Sequence, residues 1–302
     1  MKTLREFAEM ILNQVSENMG YRGEIVEIPN NNVENRVGLA LSEPGNKLSP
    51  IVMISDLYEE YKTEGNENML GPWCLKVKTR FLQQLEMQED FPDITKMLQQ
   101  GYPELKNHIQ MKLINAAANE QHLKDIPWVP FLDLAITFRL ALESNQDICV
   151  FTEITNSLLK IWNATSDELY QAALTNLQAN NDYVFCDLFD YLFKDMPEFS
   201  GISDSVPTVK LYILTNNQAQ FGAYELLRPN ILKEIADKSN SDLIIFPCSV
   251  HELLVHPYDG TISIDYMRET VHHVNHTELL KEDVLSNQVY LYQRKEDRLI
   301  IA

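Results

Sequence analysis

Residues 211–257 read LYILTNNQAQFGAYELLRPNILKEIADKSNSDLIIFPCSVHELLVHP, and this stretch carries the clearest fold signals of the chain. The runs LYILTN and QFGAYELL flank Asn216 and Asn217, a pattern that predicts a β-hairpin. A helix is predicted over RPNILKEIADKS, with Pro229 in its first turn. DLIIF at 242–246 predicts a buried strand, and HELLVHP at 251–257 predicts another. The C-terminal part is therefore predicted to be a sheet covered by helices.

The preceding residues complete an α+β prediction. Apolar residues at spacings of three and four between Leu4 and Met19 predict an amphipathic helix that ends near Gly20. The runs GEIVEIP, RVGLALSEP and LSPIVMIS predict a small antiparallel meander, and residues 55–100 are typical of helices. The sequence thus predicts an N-terminal lobe over residues 1–104 and a mixed or antiparallel sheet domain over 105–302, or one continuous domain.

A second helix is predicted within DYVFCDLFDYLFKDMPEF, where the apolar residues from Val184 to Phe193 fall on one helical face. Two interpretations of this face are open. It packs in the core, or the helix around Phe185–Phe193 docks against a partner protein, with Asp182 and other acidic residues beside it.

The charge of the chain excludes some functions. Its 302 residues include 44 acidic and 25 basic ones, for a formal net charge of −19. Since nucleic-acid binding requires clustered Lys and Arg, direct binding to DNA or RNA is not expected. The acidity serves solubility or mimics a polyanion. No membrane-spanning run is present, and the four scattered cysteines indicate reduced thiols, so the predicted location is cytoplasmic.

The segment FPCSVHELLVHP, residues 246–257, resembles a catalytic motif but has the wrong spacing for a zinc protease. In HExxH the histidines are four residues apart, whereas His251 and His256 are five apart and diverge on a helix or a strand. Ser249, His251 and Glu252, with Cys248, are the candidate catalytic residues of a hydrolase hypothesis. That hypothesis requires partners from other segments, because triad members normally converge from different parts of a chain.

A second histidine cluster is the candidate metal site. His272 and His276 have the i, i+4 spacing of a helical metal pair, with Glu269 and His273 nearby. Two ligands do not make a site, and no third is identifiable. Phosphate-binding glycine motifs are also lacking, so the sequence predicts neither a metal nor another cofactor.

The C-terminal pattern quoted first, followed by EDVLSNQVYLYQR, resembles an uncharacterised bacterial family common in gut clostridia, domain of unknown function five-six-eight-eight. The resemblance extends to LSPIVMISDLYEEY near the N-terminus. SLLKIWNATSDELYQAALTN is also similar to domain of unknown function one-four-four-four. These resemblances imply a bacterial cytoplasmic protein and carry over no catalytic residue.

Each group of candidate catalytic residues lacks either a partner residue or the spacing that its chemistry requires. The sequence therefore favours a non-enzymatic protein-binding or regulatory module. The alternatives are an unrecognised hydrolase that uses Cys248–Glu252 and an acidic polyanion mimic that occupies a basic nucleic-acid enzyme.

Overall fold

The computed structural model describes residues 1–42, 50–64, 67–88, 98–99, 101–143, 149–194 and 210–302. The chain divides into two compact units. Unit 1 comprises Met1–Ile94 with Glu143–Ile148, and unit 2 comprises Thr95–Leu142 with Cys149–Ala302. The described strands form three sheets, so the predicted α+β class is confirmed. The boundary placed at residue 104 from the sequence stays a prediction.

Unit 1 is a helix and a three-stranded antiparallel meander followed by two further helices. The sheet has the order β1-β2-β3, which confirms the predicted meander. Its described elements are α1 (Leu4–Met19), β1 (Arg22–Asn30), β2 (Val33–Ser42), β3 (Ile51–Met53), α2 (Ser55–Glu64) and α3 (Leu70–Gln88).

The first helix begins and ends on local signals. Thr3 and Glu6 form a capping box, in which each side chain accepts a hydrogen bond from the other residue's backbone N–H. Gly20 ends the helix in the left-handed conformation. The middle of the predicted apolar stripe, from Phe7 to Val15, buries Phe7, Ala8, Ile11 and Val15, and Phe7 packs its ring against Tyr61 and Trp73.

Unit 2 contains two antiparallel sheets. In the first, β6 pairs with β4 on one side and with β5 and β7 on the other; the second has the order β13-β12-β10-β11-β9-β8. Its described strands are β4 (Ile109–Asn115), β5 (Trp128–Phe131), β6 (Leu134–Glu143), β7 (Cys149–Glu153), β8 (Tyr183–Asp187), β9 (Tyr212–Asn216), β10 (Asp242–Phe246), β11 (Leu253–Tyr258), β12 (Tyr290–Gln293) and β13 (Arg298–Ile301).

Helices cover these sheets, as predicted. On α6, the residues Leu169, Ala173 and Leu177 are buried, and on α9 Met267 packs with Ile244 of β10. The described helices of unit 2 are α4 (Tyr102–Leu105), α5 (Asn156–Trp162), α6 (Ser166–Ala179), α7 (Leu188–Leu192), α8 (Ile231–Ser239) and α9 (Ile264–Thr277).

The helix predicted across Val184–Phe193 is wrong in its first half. Tyr183–Asp187 form strand β8, which pairs antiparallel with β9, and only Leu188–Leu192 are helical. A helical spacing of apolar residues was present, but aromatic and branched residues also suit strands, and pairing with β9 decided the outcome. Asp187 caps the short helix by accepting from the N–H of Phe189 at 2.8 Å.

The hairpin predicted around Asn216 and Asn217 is also wrong. Strand β9 ends at Asn216, whose side chain accepts from the N–H of Gln220 at 3.2 Å and donates to its carbonyl at 2.9 Å. This reciprocal pair closes a tight loop, and Gly222–Leu227 then form a 3₁₀ helix instead of a returning strand. The edges of β9 are used by β8 and β11, so no edge is left for residues 220–227.

The two sheets of unit 2 are joined by a carboxylate. Asp133, between β5 and β6, accepts hydrogen bonds from Ser286 Oγ at 2.6 Å and from the Tyr290 hydroxyl at 2.5 Å. Tyr290 is fully buried, and burial, reinforced by Asp133, raises the pKa of its hydroxyl far above the ordinary value. Asn115 of β4 adds a third link by donating to the carbonyl of Leu285 at 3.1 Å.

We expect Asp133→Ala to destabilise the protein by roughly 3 kcal/mol, since it removes two hydrogen bonds to a carboxylate and takes that acceptor away from the buried Tyr290 hydroxyl. Tyr290→Phe removes one hydrogen bond and leaves no buried donor without an acceptor, so it is expected to lower the free energy of unfolding by about 1 kcal/mol. Urea unfolding followed by circular dichroism measures both. Asp167→Ala, at an exposed position in the first turn of α6, is the matched control, and an equal loss there contradicts the assignment.

Candidate functional site

The segment 247–252 leaves the sheet between β10 and β11 and pairs with residues 283–286. Val250 N–H donates to the carbonyl of Asp283 at 2.8 Å, and Leu285 N–H donates to that of Cys248 at 2.8 Å. Ser249 forms an isolated bridge with Val284 and is 3% exposed. Its hydroxyl accepts from the backbone N–H of His251 at 3.0 Å. Ser249 and His251 thus lie in a loop, and not on one face of a strand.

Both ring nitrogens of His251 are engaged. Nδ1 accepts from the backbone N–H of Phe221 at 3.2 Å, and Nε2 lies 3.1 Å from Oδ1 of Asp283. Because a backbone N–H can only donate, Nδ1 carries no proton, and Nε2 donates to the carboxylate. The imidazole therefore positions Phe221, and the Ser249 hydroxyl is bonded to the backbone of His251 rather than to its ring.

Cys248 is not set up as a nucleophile. Burial, reinforced by the charge of Glu252, raises the pKa of its thiol to about 11, so the thiol form dominates at neutral pH. Glu252 itself is half-buried. The segment 248–252 contains the residues of the hydrolase hypothesis, but their geometry pairs no nucleophile with a base.

The histidines do not converge on a metal site. Nδ1 of His256, on β11, lies 2.8 Å from the carbonyl of Lys210, while His251 faces Asp283. His272 and His276 stack on the exposed side of α9 with ring centroids 4.1 Å apart. Across the described ranges, no three His, Cys, Asp or Glu residues are grouped so that they could hold a metal ion.

Phe185–Phe193 lie on β8 and α7 at the edge of the larger sheet. The ring of Phe185 stacks on Tyr212 at 5.2 Å, Phe189 stacks on Phe193 at 6.4 Å, and Leu192 is 59% exposed. The aromatic rings of this segment thus stack on other rings, while Leu192 is exposed to solvent. A docking role for this segment stays a prediction.

A cationic cluster that was not predicted from the sequence lies on the smaller sheet of unit 2. Lys112 on β4 and Arg139 on β6 project from the same face, because Lys112 pairs with Thr137 and Gln110 pairs with Arg139. Arg139 is only 5% exposed and donates to Oε1 of Gln110 at 3.2 Å. The alternating polar residues of IQMKLIN and ITFRLAL are the signal that could have identified this face.

The rings of Phe151 and Phe221 lie against the cationic groups of Arg139 and Lys112. The Arg139 guanidinium carbon lies 3.6 Å from the centroid of Phe151 and 5.0 Å from that of Phe221, and Lys112 Nζ lies 4.7 Å from the Phe221 centroid. The imidazole of His251 is 5.2 Å from the same ring. We call these five residues, Lys112, Arg139, Phe151, Phe221 and His251, the Lys112 cluster.

Phe221 has a strained backbone. Its φ of 54° and ψ of 24° lie in the left-handed region, which costs a residue with a side chain roughly 1–2 kcal/mol. Strain of this kind persists only where the surroundings enforce it, and it concentrates at functional sites. Here the loop closed by Asn216 and the acceptor on His251 enforce it, and the conformation places the aromatic ring beside both cations.

Lys112 has no ion pair with any carboxylate in the described part of the chain. Glu153, whose charge acts on Lys112, is bound by His122 at 2.9 Å. Burial lowers the pKa of the Lys112 ammonium and outweighs the opposing charge of Glu153, while Arg139 lowers it further. The cluster therefore contains a desolvated cation, the type of group that perturbed sites use for ligands or catalysis.

Two open grooves lie away from this cluster. One, of about 440 Å³, runs along α6 beside Tyr102 and Lys106, and the other, of about 500 Å³, lies on α3 beside Leu75 and Arg80. Neither groove includes a residue of the candidate sites named above. We therefore place the candidate site by its chemistry, at the Lys112 cluster.

The architecture defines an α+β protein with antiparallel sheets, and no described helix is long and apolar enough to cross a membrane. The chain belongs to the family of unknown function DUF5688, whose model matches residues 4–294. This confirms the first family resemblance; the second, and the bacterial origin, stay predictions. Neither the curated proteins nor the solved structures contain a match to this chain.

We expect Cys248 to be alkylated slowly in the folded protein, because its thiolate is scarce below its pKa of about 11. Iodoacetamide labelling followed by peptide mass spectrometry at pH 7 and pH 9 measures this. The same peptide labelled in urea is the control. Equal rates in the folded and unfolded protein at pH 7 would show that the thiol is neither shielded nor raised in pKa.

Lys112→Met is expected to leave the protein as stable as before or to raise its free energy of unfolding by about 1 kcal/mol, since it removes a desolvated charge and keeps the apolar stem. Urea unfolding at pH 7 measures the change. Lys124→Met, at an exposed lysine, is the matched control and should stay within about 0.5 kcal/mol. A loss of stability at Lys112 alone would mean that its charge supports the fold.

Proposed function

We propose that this protein is a non-enzymatic binding or regulatory protein whose ligand contributes a carboxylate to Lys112. The observation that carries the proposal is the Lys112 ammonium itself, which is desolvated, forms no ion pair within the described residues and lies over the ring of Phe221, whose backbone is strained. A ligand carboxylate supplies the missing partner, through a charge-assisted hydrogen bond.

The different surroundings of the two cations support Lys112, and not Arg139, as the residue that contacts the ligand. Arg139 is buried, lies against two phenylalanines and already donates to Gln110, so it acts as a fixed local charge. Lys112 is half-buried, and its ammonium can donate three hydrogen bonds. Ligand contact is therefore assigned to Lys112, with Arg139 adding to the positive potential.

The charge balance favours a single negative charge on the ligand. The carboxylate whose charge acts on Lys112 is that of Glu153, which is already bound by His122. Glu153 repels a phosphate dianion about twice as strongly as a monoanion at the same distance. The carboxylate comes from a small acid or from the acidic side chain of a partner protein, and the latter agrees with the protein-binding role inferred from the sequence.

The other two hypotheses receive less support. At residues 248–252 the described hydrogen bonds pair Ser249 with a backbone N–H, and His251 with Phe221 and Asp283. They include no bond between a nucleophile and a base, which a hydrolase would need. The polyanion-mimic hypothesis rests on composition alone and stays a prediction. A positive, aromatic site is the opposite of what a polyanion mimic presents.

Formate is the probe for the site. We expect it to shift the amide resonances of Phe221 and Gly222 with a dissociation constant in the millimolar range, as roughly 3 kcal/mol from one charge-assisted hydrogen bond implies. Lys112→Met should weaken binding about tenfold or more, while Lys124→Met should leave it unchanged. Two-dimensional NMR titration at constant ionic strength measures both variants.

Two further arms separate the sources of the carboxylate. A short peptide with one internal glutamate that binds more tightly than formate identifies a protein ligand, and equal affinities identify a small acid. Inorganic phosphate should bind more weakly than either. The proposal is wrong if wild type and Lys112→Met respond alike to formate, or if phosphate is preferred.

A further inference from the structure

The hydrogen bond between Phe221 and His251 makes the Lys112 cluster dependent on one proton. We infer that His251 is a positioning residue that holds Phe221 over Lys112 only while its imidazole is neutral. This inference rests on the proposed function, because the consequence of releasing Phe221 is read as a change in ligand binding. It assigns a regulatory role to a residue that the sequence placed in a catalytic segment.

The geometry requires the neutral ring. Nδ1 must accept the Phe221 N–H at 3.2 Å, which it can do only without its own proton. When the ring is protonated, both nitrogens carry hydrogen, and the N–H groups of His251 and Phe221 then point at one another. Phe221 loses the acceptor that holds it in the left-handed conformation.

The opposite side of the ring keeps its contact in either state. Asp283 lies 3.1 Å from Nε2, which carries hydrogen in both the neutral tautomer and the imidazolium, so protonation keeps this contact and breaks the other. The cationic side chains that contact the Phe221 ring beside His251 are Lys112 and Arg139. The remaining titratable groups close to His251 in sequence or on the Asp283 turn are Cys248, Glu252, Lys281 and Glu282.

Release of Phe221 alters the site directly. Its ring contacts both cations and the imidazole, so a move to an ordinary backbone conformation removes the aromatic face from Lys112. The cation is then better hydrated and gains less from a carboxylate. Ligand binding is accordingly stronger while the His251 ring is neutral, and protonation of the ring is expected to weaken it.

Two substitutions separate the two contacts of His251. The side-chain oxygen of asparagine is bonded to Cγ, as Nδ1 is, so His251→Asn keeps an acceptor for Phe221 that does not titrate. The amide of glutamine reaches the position of Nε2, so His251→Gln keeps the contact with Asp283 and lacks the acceptor. A residue that only fills space would tolerate both equally.

The test is formate affinity by NMR titration between about pH 5.5 and 8, a range in which formate stays ionised. We expect wild type to bind about tenfold more weakly at the low end, His251→Asn to bind equally at both ends, and His251→Gln to bind weakly throughout. His122→Gln removes the other imidazole near Lys112 and should retain the pH dependence. A pH dependence lost in His122→Gln, or kept in His251→Asn, overturns the inference.

The Phe221 amide resonance distinguishes the two proposals without ligand. If wild type binds no formate at any pH, the proposed function fails, while a Phe221 resonance that moves with pH in wild type and not in His251→Asn still supports the role of His251. If formate binds with a constant affinity and the Phe221 resonance does not move, the site stands and the inference about His251 is wrong.

Discussion

Gly222 sits so close to strand β9 and to the loop after β10 that no side chain fits there. A Cβ would lie 2.7 Å from both the Asn216 nitrogen and the His251 carbonyl oxygen, a separation at which one group must move. Thr215 donates to the same carbonyl at 2.7 Å, and Ala223 N–H donates to Val250 at 3.2 Å. The corner at 216–223 is thereby fastened to the loop 247–252, which places the backbone N–H of Phe221 beside the His251 imidazole.

This corner explains why a segment rich in catalytic residue types is structural in character. Ser249, His251 and Asp283 are all bonded, but each bond supports the loop or Phe221. A histidine with a carboxylate on one nitrogen resembles part of a triad, and the decisive question is what the other nitrogen contacts. Here Nδ1 accepts from the backbone N–H of Phe221, so the imidazole holds the conformation of the chain at Phe221.

The Lys112 cluster also illustrates how an acidic protein can maintain a cationic site. With a net charge of −19, exposed lysines lie in a negative field that competes for them. Arg139 avoids this competition through burial against aromatic rings, and Glu153, whose charge acts on Lys112, is already bound by His122. A desolvated charge such as that of Lys112 destabilises the fold, and the removal of such groups commonly stabilises a protein at the expense of function.

Local patterns in the sequence determined the elements whose signals have one interpretation: the first helix with its stop at Gly20 and the three strands of the meander. The spacing of His251 and His256 predicted that the two histidines do not share a zinc ion, and this stays a prediction. Only the tertiary structure decided Tyr183–Asp187, where helical spacing and strand propensity coincide and β9 supplied the pairing edge. It also decided the site, because Lys112, Arg139, Phe221 and His251 come from four distant segments. Their proximity depends on how two sheets and a loop pack, and no local pattern encodes that packing.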